Sequence, residues 1–116
     1  MPGRELDREV LAQLAHAGSD LTKPAHTIHF LYFPTMVGAK SAAAELQKAG
    51  YENVRTHRSP PTSLWNRLFG PRTYTCIAEA RAIPSESNVF ATSDRMEELA
   101  AKFGGDYDGW EASVER

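Results

Sequence analysis

The feature of the sequence that most limits the possible folds is the two-residue alternation across residues 72–83, which is the clearest in the chain. One set of side chains is aromatic or small and the other is polar: Tyr74, Cys76, Ala78, Ala80 and Ala82 alternate with Thr73, Thr75, Glu79 and Arg81. A period of two is typical of a β-strand that buries one face. Half-buried strands occur mainly in antiparallel sheets, so this segment predicts an antiparallel sheet covered on one side.

A second strand is predicted at residues 26–33, which are rich in aromatic and β-branched side chains and end at Pro34. Leu31 and Phe33 make one face apolar, and the opposite face carries Ile28, Phe30 and Tyr32. A strand that is apolar on both faces is expected in the middle of its sheet. Shorter alternating runs predict a strand at residues 54–58 and a final strand that begins at Trp110.

Helical spacing of apolar residues predicts three helices. The first leaves Asp7 on its polar side, and its apolar stripe consists of Leu6, Val10, Leu11 and Leu14. The second runs from a cap at Thr35 to residue 49 and is followed by Gly50, a residue type that commonly ends helices. The third ends at residues 104–105, and either Ser87 or Asp94 could be its cap.

The predicted order of elements is α-β-α-β-β-α-β. Without the first helix, this is the βαββαβ order of the ferredoxin-like sandwich, an α+β fold with a four-stranded antiparallel sheet. A chain of 116 residues is the size of one domain. We therefore expect a single domain over residues 1–116, in which residues 1–25 form a helix and linker and residues 26–116 form the βαββαβ core.

Composition excludes several classes of protein. The formal net charge is -2, which argues against a protein that binds nucleic acid through an overall basic surface. The single cysteine, Cys76, excludes an internal disulfide and a thiolate-rich metal site. No run of apolar residues approaches the roughly 20 needed to span a membrane, and the N-terminus is too charged for a signal peptide. We expect a cytoplasmic protein.

Candidate catalytic and metal-binding residues have simpler structural interpretations. His26 and His29 are three apart on a predicted strand, so they face opposite sides and do not favour a shared metal ion. Cys76 falls on the inward face, which favours an inert core thiol. We therefore expect neither an enzyme nor a cofactor.

Two Asp residues near the C-terminus, Asp106 and Asp108, resemble the start of a calcium-binding loop. The rest of that motif is absent, because Trp110 stands at the next ligand position. We interpret Asp106, Asp108 and Gly109 as a tight turn between the last helix and the last strand.

Charge is distributed unevenly along the chain. Four arginines and no acidic residue occur in residues 55–72, whereas eight acidic residues occur in residues 86–116. A loop at residues 59–71 contains Trp65 and Arg67, residue types that often anchor protein interfaces. The alternative for Trp65 is that it covers the edge of the sheet.

The segment Gly-Gly-Asp-Tyr-Asp-Gly-Trp-Glu at residues 104–111, after a helix containing Leu99 and Ala100, resembles the end of the RraB family. The similarity extends from about residue 11 to residue 114. It implies a ferredoxin-like sandwich and a non-catalytic protein that binds the scaffold region of ribonuclease E and inhibits the enzyme. It also implies a structural signature, formed by Gly105, Tyr107, Asp108, Gly109 and Trp110.

If the resemblance extends to the partner, acidic side chains near the signature would steer the protein toward a basic scaffold. The candidate partner-binding residues are then Asp106, Asp108, Glu111, Trp65 and Arg67.

Two alternative functions remain at this point. Ferredoxin-like domains can pair their sheets and bind small molecules between protomers, and the apolar face of Leu31 and Phe33 would suit such a ligand-sensing module. Direct nucleic-acid binding through the arginines of residues 55–72 is the other alternative. The third strand lacks the aromatic motif of RNA-binding domains, so binding of RNA through the sheet is not expected.

Overall fold

The computed structural model describes residues 2–59 and 73–116, and the side chains from Glu5 onward within those ranges. The predicted contacts Trp65 and Arg67 lie outside the described residues. The elements in chain order are α1 (Pro2–His16), β1 (Ala25–Phe33), α2 (Met36–Lys48), β2 (Glu52–Arg58), β3 (Tyr74–Ala82), α3 (Glu86–Lys102) and β4 (Asp106–Ala112).

The four strands form one antiparallel sheet in the order β2-β3-β1-β4. This is the strand order of the ferredoxin-like split βαβ fold, so the predicted fold class is confirmed. Strand β1 lies between β3 and β4, as its two apolar faces predict. Strand β4, the last in the chain, therefore pairs with β1, the first.

The helices cover one face of the sheet. Helix α2 lies over β2 and β3, and α3 lies over β1 and β4. The main core lies between the helices and the sheet and includes small residues of α2, which let this helix approach the sheet closely. The buried residues of this core are Leu31, Phe33, Ala39, Ala42, Ala43, Leu46, Cys76, Ala78, Met96 and Ala100. The ligand-sensing alternative required the face of Leu31 and Phe33 to be accessible between two paired sheets. Both residues are instead buried beneath the helices, so this face is not available to such a ligand.

Helix α1 contacts α3 and β4, a position that the sequence left open. Its buried residues Leu11 and Leu14 form a second cluster with Val89 of α3 and Trp110 of β4. Among the helices of residues 2–59 and 73–116, none is long and apolar enough to cross a membrane.

Three predictions about individual residues were wrong. Helix α3 is capped by Ser85, which accepts a hydrogen bond from the Asn88 amide at 3.3 Å, and not by Ser87 or Asp94. Asp7 is buried rather than solvated, since it is only 2% exposed. Residues 106–109 form the first half of β4 and not a turn, because Gly109 sits at a bulge with a φ of 106°.

The outward face of β3 is also less solvated than its alternation predicts. Thr75 and Ile77 point away from the helices, yet they are only 4% and 8% exposed. The Thr75 hydroxyl is hydrogen-bonded to the Ser59 hydroxyl at 2.7 Å, which satisfies one buried polar group on this face.

Candidate functional site

Strand β4 carries most of the residues that the sequence singled out, and it lies at an edge of the sheet. Its side chains divide into two groups. The rings of Tyr107 and Trp110 pack into the apolar clusters beneath the helices. The three carboxylates of the strand are exposed to solvent: Asp106, Asp108 and Glu111.

Gly105 allows the close approach of the chain to β1 just before β4 begins. A Cβ at this position would collide with the carbonyl oxygen of Tyr32 and with the ring of Phe33. The Phe33 ring is fully buried, so it cannot move aside cheaply. Gly105 therefore allows a close approach between the chain and β1 that a residue with a Cβ would prevent.

Trp110 fastens α1 to the sheet. Its indole Nε1 donates a hydrogen bond to Oδ1 of Asp7 at 2.9 Å, and both residues are buried. The ring also packs against Leu11 and Leu14 of α1 and Val89 of α3. This hydrogen bond offsets part of the cost of burying the Asp7 carboxylate, whose other oxygen, Oδ2, is buried without a hydrogen-bond partner among the described residues.

Tyr107 binds the inner side of β1. Its hydroxyl is 2.9 Å from Nδ1 of His29, and the ring of Tyr51 lies edge-on to His29 at 5.8 Å. Burial lowers the pKa of His29 to about 4, so its imidazole is neutral near pH 7. This buried histidine links β1 to β4 and to the segment between α2 and β2, and it has little access to solvent.

The described residues offer no reactive group at these positions. Burial raises the pKa of the Cys76 thiol to about 11, so the thiolate nucleophile does not form near pH 7. His26 lies on the opposite face of the sheet from His29, as predicted. Within residues 2–59 and 73–116, no group of three or more His, Cys, Asp or Glu side chains could hold a metal ion.

The face of the sheet opposite the helices has an apolar centre, formed by Ile28, Phe30, Tyr32 and the buried Ile77. We call it the open sheet face because none of the described helices packs on it. Its β1 residues are half-buried. A depression of about 380 Å³ on this face is lined in part by Phe30, Tyr32 and Ile77. This aromatic surface was visible in the β1 alternation, but the sequence alone did not show which strand lay beside it.

Toward β2, the open sheet face is closed by a charged network around Glu79. Its carboxylate is hydrogen-bonded to Arg55 and to His26, each at 2.6 Å, and accepts a third bond from Asn53. The hydrogen bonds from Arg55 and then from His26 lower the pKa of Glu79. Arg55 therefore has its charge partly offset by Glu79, which weakens its attraction for a phosphate.

Toward β4, the open sheet face ends at unpaired carboxylates. In the part of the chain that the structure describes, the side chains of Asp106, Asp108 and Glu111 make no ion pair or hydrogen bond. Asp106 lies opposite Tyr32 and Glu111 lies opposite Ile28 in the strand register. Asp108 is the extra residue of the bulge, since Gly109 and Tyr107 pair with consecutive residues of β1.

Between these carboxylates lies a gap that we call the Phe30 notch, defined by Phe30, Gly109, Asp106 and Glu111. Gly109 is the cross-strand partner of Phe30 and contributes no side chain. A Cβ built on Gly109 would meet no atom of residues 2–59 and 73–116 within 4 Å, so these residues leave the space beside this backbone open. The edge of the sheet therefore presents an aromatic residue with a carboxylate on either side.

Comparison with known proteins gives a family match over most of the chain. A family model described as "RraB: Regulator of ribonuclease activity B" matches residues 4–112. No curated protein matches the chain. A solved structure of the Bacillus subtilis YXEP protein, a dinuclear metal binding peptidase from the M20 family, is similar over 80% of this chain and 27% of that chain. With 16% sequence identity and a TM-score of 0.43, that similarity carries no information on activity.

Proposed function

Because this chain belongs to the RraB family of regulators of ribonuclease activity, we propose that it binds ribonuclease E and lowers its activity without cutting RNA itself. The observation that carries this proposal is the family match, which spans both the sheet and α1. We further propose that the bound part of the enzyme is its non-catalytic scaffold region, as the resemblance to this family implies.

The chemistry of the β4 edge supports a basic protein partner. Three exposed carboxylates have no partner among the described residues to offset their attraction for a cation: Asp106, Asp108 and Glu111. An arginine-rich scaffold would provide complementary charge. The same carboxylates would repel RNA, which supports indirect regulation over competition for the substrate.

The proposal is tested by titrating the purified protein into ribonuclease E from the same host, as the full-length enzyme and with its scaffold removed. Cleavage of a structured RNA is followed in the same samples. We expect binding that requires the scaffold, slower cleavage by the full-length enzyme only, and no cleavage by this protein alone. Equal inhibition of the two enzymes would contradict the scaffold assignment, and no binding at micromolar concentration would contradict the proposal.

Charge reversal tests the proposed binding edge. We expect the triple variant Asp106→Lys, Asp108→Lys, Glu111→Lys to bind ribonuclease E about tenfold or more weakly, because each surface charge at an interface contributes up to about 1 kcal/mol. The matched control reverses three exposed carboxylates of the helices: Glu5→Lys, Glu9→Lys and Glu98→Lys. Equal weakening by both triples would show that net charge, and not the β4 edge, controls binding.

A further inference from the structure

We propose that the Phe30 notch is an arginine-binding site, which holds one guanidinium group of a basic partner segment against the Phe30 ring and between two carboxylates. This inference rests on the proposed function, because it assigns the residue chemistry by which the same β4 edge recognises its partner. The proposed site goes beyond a general attraction between opposite charges, since it would bind arginine more tightly than lysine.

The geometry of the strand register places the required groups around one position. Alternate residues of a strand are about 6.6 Å apart on one face. Tyr32 with Asp106 and Ile28 with Glu111 therefore flank the Phe30–Gly109 pair at that spacing, on the same face of the sheet. A cation above Phe30 could approach either carboxylate from there.

Access to the ring comes from Gly109. Any other residue type opposite Phe30 would place a side chain over the edge of the sheet, about 5 Å from the Phe30 Cβ. Gly109 leaves that space empty, and its φ of 106° keeps other residue types at a disadvantage. The bulge at Asp108 also bends the strand locally, as β-bulges do where they re-aim a side chain.

The chemistry of the notch favours arginine over lysine. A guanidinium is planar, stacks on an aromatic ring and can donate two parallel hydrogen bonds to a carboxylate. A lysine ammonium is a compact, strongly hydrated charge that makes neither arrangement. A stacked, bidentate site therefore discriminates between two peptides of equal charge.

Other occupants fit the described residues less well. A nucleic acid would bring phosphates toward Asp106 and Glu111, while Arg55 on the far side is already bound to Glu79. A second copy of this chain would bring its own exposed carboxylates to an edge that already carries Asp106, Asp108 and Glu111, and like charges repel. A basic peptide is the occupant whose charge complements this edge.

The test uses two capped peptides, of seven arginines and of seven lysines, titrated into the full-length protein at low salt. We expect the arginine peptide to bind about five- to tenfold more tightly, the ratio expected for a stacked cation over a solvated one. Amide shifts in NMR spectra should be largest around Gly109 and on β1. Equal affinities, or shifts confined to the α2–α3 side, would overturn the proposal.

Phe30→Leu removes the aromatic ring and keeps an apolar side chain, so it should abolish the preference for arginine. Phe90→Leu is the matched control. Phe90 lies on α3, outside the open sheet face, so this variant should retain the preference for arginine. If Phe30→Leu loses its folded spectrum, the double variant Asp106→Asn and Glu111→Gln replaces it, because both positions are exposed. A preserved arginine preference in the folded notch variant would overturn the proposal.

Failure of the notch and failure of the proposed function are distinguishable. If ribonuclease E binds but arginine and lysine peptides bind equally, the notch proposal fails and the regulatory function stands. If the arginine peptide is preferred but ribonuclease E does not bind, the notch stands and its partner is another basic protein. Binding of a uridine oligonucleotide to the notch in competition with the arginine peptide, or dimerisation that blocks it, would overturn the assignment to a basic segment.

Discussion

His29 illustrates how alternation on one strand assigns different chemistry to neighbouring residues. His26, three positions earlier, lies on the open sheet face and binds Glu79, whereas His29 lies beneath the helices beside Tyr107. The sequence correctly placed the two imidazoles on opposite faces from the strand period. It could not identify the partner of His29, because Tyr107 reaches β1 through a strand pairing between the ends of the chain.

At this residue scale, we expect acid to destabilise the protein through His29. Its pKa is about 4 when folded, against an ordinary 6.5, so the unfolded chain binds more protons between these pH values. Stability should therefore rise from pH 4 to pH 6.5 and be lost as pH falls through that range, by up to about 3 kcal/mol. Urea unfolding at a series of pH values measures this slope.

The matched variants for this prediction are His29→Gln and His57→Gln. The first removes the buried imidazole and should flatten the slope between pH 4 and pH 6.5. The second changes an exposed histidine of β2 and should leave the slope unchanged. A wild-type slope in His29→Gln would show that another group causes the acid sensitivity.

At the scale of the elements, the ends of helices and strands were predicted correctly where only one nearby residue could start or stop the element. Helix α2 was predicted closely because Thr35 is a good cap and Gly50 a good stop; Thr35 accepts from the Gly38 amide at 3.0 Å. The start of α3 was missed because several cap residues compete there, and Ser85 follows Pro84. The start of β4 was missed because an Asp-Gly pair suggests a turn, although a bulge uses the same glycine conformation.

Docking of α1 provides the prediction at this scale. Trp110→Ala should lower the free energy of unfolding by about 3–5 kcal/mol, because it removes a large ring from the α1–α3–β4 cluster. Trp110→Phe retains a ring but removes the donor to Asp7, and should cost about 1–3 kcal/mol. Chemical denaturation measures both changes.

A double-mutant cycle with Asp7→Asn separates packing from the hydrogen bond. The Trp110→Phe substitution should cost less in the Asp7→Asn background, since an amide tolerates burial without the indole donor better than a carboxylate does. Purely additive effects would contradict the role given to this hydrogen bond, and an unchanged denaturation midpoint for Trp110→Ala would contradict the burial of its ring.

At the scale of the whole molecule, the sequence predicted the fold more completely than the surface. The order of strands and helices determined the topology, since few arrangements satisfy βαββαβ connectivity. The position of α1 was not predictable, because an apolar stripe shows that a helix is buried without showing against what. The Phe30 notch was not predictable either, because it requires the register between β1 and β4.

The prediction at this scale concerns how salt affects binding, because the proposed attraction to the partner is electrostatic. The protein carries a formal charge of -2, and β4 carries three exposed carboxylates that have no partner among the described residues. We expect binding to ribonuclease E to weaken as salt rises from about 0.01 M to about 0.1 M, because the screening length falls from about 30 Å to about 10 Å. Association rates should fall more than dissociation rates change. Affinity independent of salt would contradict electrostatic steering.

The pairing of the first strand with the last has a consequence for how the chain is made. During synthesis, β1 emerges early, but one of its two edges has no neighbour until residues 106–112 leave the ribosome. Until then, its backbone is open to pairing with other chains, and Trp110 is not yet available to hold α1 in place. The same short segment that presents the carboxylates therefore completes the sheet, so the proposed binding edge and the completed fold appear together.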